Sequence, residues 1–143
     1  MKVRRDGILE TQPVSIVERP GVVPVAEKKA STSLTSAGSA VLQNAAIPTG
    51  KTGKLQSVTV SAEVAWQATV QKFDGSVTSD IVVLHGLPGI PFTYRPANPD
   101  AALHSVASAG TSRFQVAVVN NNPTYSTILA LIYVTTEWDE KET

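Results

Sequence analysis

From Val58 to Val70 every even position is apolar, reading Val58, Val60, Ala62, Val64, Trp66, Ala68 and Val70, whereas the odd positions from Thr59 to Gln71 are mostly polar. Side chains alternate faces every residue only on a pleated strand, so this stretch is β structure with one buried face. It is too long for one average strand. A bend near 62–65 is therefore expected, with strands near 54–62 and 65–73. Asp74-Gly75 supplies a hairpin turn into a strand near 78–86. After the Pro/Gly-rich passage 86–91 come short strands near 92–95, 102–108 and 112–120, and a long one near 126–137. With another near 40–47, the count is about eight, and no helical periodicity of useful length interrupts it. Short strands separated by turn residues predict an all-β chain, a jelly-roll-like antiparallel sandwich or barrel.

The first 38 residues read differently. Pro13, Pro20 and Pro24 break any helix before three turns and bias their predecessors towards extended conformations. Between them lie two apolar strips, one containing Val14, Ile16 and Val17 and the other Val22, Val23 and Val25. These are too short to build a core and too hydrophobic for a solvated linker. Ser31 to Ser39 is polar and small-residued, as a hinge would be. The organisation expected is an extended N-terminal arm and hinge over 1–38, a β domain over 39–138, and an acidic tail over 139–143. Fully stretched, the arm would reach on the order of 125 Å. Its removal, residues 1–30, should then spare the fold and abolish attachment to a partner.

Charge narrows the function. Twelve Lys and Arg balance twelve Asp and Glu, which argues against a protein that holds nucleic acid by neutralising phosphates. The balance is uneven along the chain: residues 1–30 carry a net +2, residues 31–136 a net +1, and the last seven a net −3. That polarity suits head-to-tail contact between copies or contact with different parts of a partner. No run approaches ~18 apolar residues and no signal region follows Met1, so the chain reads as soluble, unexported and without a membrane partner.

Catalytic signatures are missing. Without cysteine there is no thiolate metal site or cysteine nucleophile. His85 and His104 lie nineteen residues apart with no His-x-His pair, too few ligands for a metal enzyme. Lys51-Thr-Gly-Lys54 superficially matches a phosphate loop but lacks a following helix, and Pro48 to Gly53 reads as a turn between strands. No nucleophile elbow or glycosidase-like carboxylate pair is present. The expectation is a non-enzyme with no catalytic residue, cofactor or metal. Among the aromatics, Trp66 and Phe114 sit among aliphatics as core residues do. Phe92, Tyr94 and Trp138 flank loops or ends and are the candidates for interface or ligand contact.

Several segments then look familiar: Ala46 to Val60, Ala68 to Gly75, Phe92-Thr-Tyr-Arg-Pro96, Arg113 to Asn120 and Tyr133 to Asp139. In the order of their turns and strands they resemble small β-sandwich structural proteins of tailed bacteriophages, in particular a head decoration protein. The resemblance implies a virion component on the capsid exterior. Its partners would be the major capsid protein and two further copies of itself, as a homotrimer. In that reading Val14, Ile16, Val17, Val22, Val23 and Val25 would clamp capsid subunits. The alternative is a receptor- or glycan-binding module of a tail or fibre, built on the same kind of sandwich.

Overall fold

A computed structural model describes residues 21–123 and 127–143. Its strands are β1 Val22–Ala30, β2 Ser39–Gln43, β3 Lys51–Ala62, β4 Trp66–Phe73, β5 Thr78–Gly86, β6 Phe92–Tyr94, β7 Ser105–Ala107, β8 Arg113–Asn120 and β9 Ile132–Glu142. One turn of 3-10 helix, Ala102–His104, precedes β7. They form two antiparallel sheets. The first runs β1-β9-β3-β6, with β7 also on β3, and the second runs β2-β8-β4-β5. Counting β6 and β7 as one broken strand gives two four-stranded layers in which the chain repeatedly crosses from sheet to sheet. That is the jelly roll expected from the alternation.

The long alternating run divides as expected, at a turn over 63–65. Upstream of it the pattern holds a defect that shapes the molecule. Leu55 and Val58 are both fully buried, with two residues between them, so the parity of β3 changes from odd to even. A β-bulge does this: Leu55 lies opposite Trp138 and Ser57 opposite Glu137, and Gln56 is the extra residue. Inward-facing Leu55, Val58, Val60, Trp66, Val70, Phe114, Val116, Ile132, Val134 and Trp138 fill the space between the sheets. The Phe114 and Trp138 rings meet at 6.2 Å with an interplanar angle of 55°, joining the two layers.

Residues 22–38 are not an arm here. β1 pairs with β9 along its whole length, from Val22 opposite Lys141 to Ala30 opposite Tyr133. Pro24 is tolerated because β1 is an edge strand, whose second side needs no ladder donor. Val25 packs on the core. The Glu27 carboxylate accepts from Asn44 Nδ2 at 3.0 Å and from the Ala45 amide at 2.8 Å, tying the edge to the loop after β2. The expected hinge is packed as well. Ser31 N–H donates to the Ile132 carbonyl, its Oγ accepts from the Ile132 amide, and Leu34 bridges Ala130. At the other end, β9 runs on to Glu142, so 139–143 is largely strand and Asp139 is buried. Val14, Ile16 and Val17 lie outside the described residues.

The remaining differences are local. The last strand begins at Ile132, not near 126, and part of 102–108 is the 3-10 turn. The loops over 31–38, 63–65 and 87–91 and the described residues 121–123 and 127–131 lie at one pole of the sandwich. The loops over 44–50, 74–77 and 108–112 lie at the other, where Glu142 N–H also donates to the Gly21 carbonyl at 3.0 Å. No helix among the described residues is long and apolar enough to cross a membrane.

The hairpin at 74–77 forms as its sequence predicts, with Gly75 at φ 107°. Asp74 Oδ1 accepts from the Val77 amide at 2.7 Å and the Ser76 amide at 2.8 Å. Those bonds, the Val77 one foremost, hold the Asp74 carboxyl below its ordinary value. A lowered folded pKa means this contribution is present above the unfolded carboxylate range, near pH ~4, and is lost as pH falls through the folded value. An Asp74→Asn variant should therefore lose less of its own stability between neutral pH and about pH 3. Urea midpoints at the two pH values, compared with those of the unsubstituted chain, check it.

Candidate functional site

On the outer face of the five-stranded sheet, side chains come in rows across β1, β9 and β3. Nearest the pole of the termini, Val22 lies beside Lys141 and Thr52, then Pro24 beside Asp139 and Lys54. Further along come Ala26 beside Glu137 and Ser57, Lys28 beside Thr135 and Thr59, and Ala30 beside Tyr133 and Ser61. Apart from Lys28 and Lys54, the side chains of β1 and β3 in these rows are short, and the face is furrowed along the strand direction beside the longer side chains of β9.

Three hollows follow this furrow. One of about 380 Å³ is lined by Val22, Lys54, Gln56, Pro99, Asp100, Asp139 and Lys141. The next, about 260 Å³, shares Gln56 and Asp139 with it and continues past Pro24, Val25, Ala26 and Glu137, with Trp138 also in its lining. The third, about 370 Å³, lies around Lys28, Ala30, Ser61, Tyr133 and Thr135. From Tyr133 to Lys141 the line spans ~26 Å at ~3.3 Å per residue.

Gln56 belongs to the first two hollows because the bulge adds it to the strand; without the extra residue the row would pass directly from Lys54 to Ser57. Around it the hydrogen-bonding groups alternate in kind. Lys54 Nζ lies 3.5 Å from Asp100 Oδ1, and Ser57 Oγ donates to Glu137 Oε1 at 2.9 Å. Both signs of charge, an amide and hydroxyls thus converge within one furrow. Thr59 and Thr93 share a hydroxyl bond at 2.9 Å along its flank. Tyr133, about half exposed, is the aromatic ring at its far end.

The three aromatics singled out from the sequence do not meet. Trp138 is 1% exposed: β9 continues past it, so it sits within a strand on the inward parity shared with Ile132, Val134 and Thr136. Its Nε1 donates to Glu140 Oε2 at 3.1 Å. Tyr94 is half-buried, and its hydroxyl donates to Nε2 of His104 at 2.9 Å while Nδ1 of that ring donates to the Asn98 carbonyl at 3.0 Å. Those bonds fix the loop over 95–104 against β6, a structural task. Phe92 alone is exposed, on the edge of the sheet and away from the furrow. Val22 lines the first hollow and Val25 the second, both within this chain, and Val23 stands exposed on the β1 edge. His85 lies on the exposed side of β5 and His104 in the buried clamp. Among the described residues no three His, Asp or Glu side chains are grouped as metal ligands.

No family model matches the chain and no curated protein matches it, so the likeness to head decoration proteins rests on the sequence pattern alone. Among solved structures, one described as "CBM4 structure and function" aligns over 82% of this chain and 89% of its own. The two are 16% identical with a TM-score of 0.30, a distant resemblance between β-sandwiches.

Proposed function

We propose that this chain is a non-catalytic binding module that lays an extended carbohydrate chain along the furrow over β9. The observation that carries the reading is the bulge at Gln56, which adds an amide between Lys54 and Lys141 on one side and Glu137 and Asp139 on the other. Amide, ammonium and carboxylate groups side by side suit a ligand whose every hydroxyl both donates and accepts. An anionic or cationic polymer would instead call for one dominant sign of charge. Small residues let such a chain approach the sheet, and Tyr133 offers a ring face against which a sugar can pack.

Screening the protein on a glycan array and measuring the best hit by calorimetry tests this. Gln56→Ala and Tyr133→Ala should each weaken binding by on the order of 10-fold, from the lost polar contact in the first and the lost ring in the second. The melting temperature should change little, since neither side chain is in the core. Absence of binding to any glycan, with co-sedimentation on phage capsids lacking the protein, would replace this reading by head decoration.

A further inference from the structure

A sandwich of two open sheets has four edges, and three of these are guarded. β1 carries Pro24, Glu27, Lys28 and Lys29, β2 has five residues, and β6 and β7 are three-residue pieces separated by a loop. Prolines, charges and shortness are the devices by which proteins stop strand edges from pairing. β5 has few of them. It runs nine residues, Thr78–Gly86, without proline, lysine or arginine, and among the described residues it pairs only with β4. A bulge at Ile81, which has no opposite number on β4, leaves Val82–Gly86 regular.

The surroundings of this edge are apolar. Val77 just before β5, Val83 on it and Leu87 and Ile90 in the connection after it are all exposed. Along the length of the edge they leave on the order of 400 Å² of apolar surface, about half of a standard homodimer face of ~800 Å² per partner. From Val77 to Tyr94 the sequence holds one residue of the types Asp, Glu, Lys and Arg, Asp80.

We infer that β5 pairs antiparallel with β5 of a second copy, joining two four-stranded sheets into one of eight strands. The sequence of β5 suits a two-fold axis at Val83. Val82 of each copy would then face Leu84 of the other on the inward side, and the two Val83 side chains would meet on the outer face. Asp80 and His85 share that face, opposite Gln71 and Gln67 of β4. The axis brings Asp80 of each copy within one residue of His85 of the other, so the one charge on the edge acquires a polar neighbour. A two-fold axis of this kind gives a dimer, where the sequence resemblance implied a trimer. The furrow over β9 is on the other sheet and stays open on both copies.

Light scattering and analytical ultracentrifugation of the full chain across micromolar concentrations test this. The expected result is a dimer whose dissociation constant rises on the order of 30-fold in Val83→Lys, because the two lysines would face each other across the axis. Val23→Lys, on the guarded β1 edge, should leave the constant unchanged and controls for general surface effects. Circular dichroism of both variants shows that the fold is kept, and Leu87→Ser provides a second break should Val83→Lys fail to fold. A monomer or trimer for the unsubstituted chain would overturn the inference. So would a dimer that Val83→Lys and Leu87→Ser, both folded, leave intact.

Discussion

Deleting residues 1–30 should cost this fold on the order of 5 kcal/mol or more, a large part of the 5–15 kcal/mol by which a domain is stable. The deletion removes β1 and with it a nine-residue ladder to β9. It also removes the Val25 contact with the core and the Glu27 carboxylate that holds Asn44 and Ala45. A hydrogen bond to a charged group is itself worth ~1.5–3 kcal/mol, and each ladder bond about 1. A chain beginning at Gly21 keeps all of these and is the control. The two are compared by urea denaturation. A chain starting at Ser31 that melts within a few degrees of the control would return 22–30 to the role of a detachable arm.

Gly86→Ala is expected to be nearly as damaging. A Cβ at Gly86 would lie 1.9 Å from Cε2 and 2.0 Å from Cζ2 of Trp66, whose indole is 1% exposed and held among core residues. Neither β4 nor the ring can retreat without opening the pole of the sandwich, so the overpacking should cost about 3 kcal/mol. At this chain length that lowers the melting temperature by roughly 10 °C. Trp66→Phe should itself be destabilising, yet in combination with Gly86→Ala the two losses should sum to less than their separate values. Strict additivity in the thermal melts of that cycle would show that the ring and the glycine do not meet.

The elements legible in the sequence are those dictated by local rules. Alternation from Val58 to Val70 marked β3 and β4, and Asp74-Gly75 marked the hairpin between β4 and β5. What stayed hidden depended on partners far along the chain. Pro24 reads as a breaker until β9 is seen to occupy one side of β1 and leave the other open. Trp138 looked terminal because five residues of mostly charged chain follow it, although β9 lies between β1 and β3 and carries those charges on its outer face and at its end. In the candidate site the overlooked residue is Gln56. Its signal was present: Leu55 and Val58 are apolar on opposite parities, and only an extra residue between them lets both face inward. Tyr133 gave no comparable sign, since an aromatic on an alternating strand can face either way until the register is known.

The position of the two chain ends has a mechanical consequence. Gly21 and Glu142 are bonded at one pole, and β1 and β9 leave that pole side by side as antiparallel neighbours. Tension applied between whatever precedes Gly21 and whatever follows Thr143 therefore loads the ladder bonds one after another, starting at Val22 and Lys141, and never all together. β1 would peel like a zip, at low force, before the second sheet bears any load. A pull applied through the furrow and the C-terminal end would run along β9 instead of splitting it from β1, so the module should yield readily to one direction of stress and withstand another.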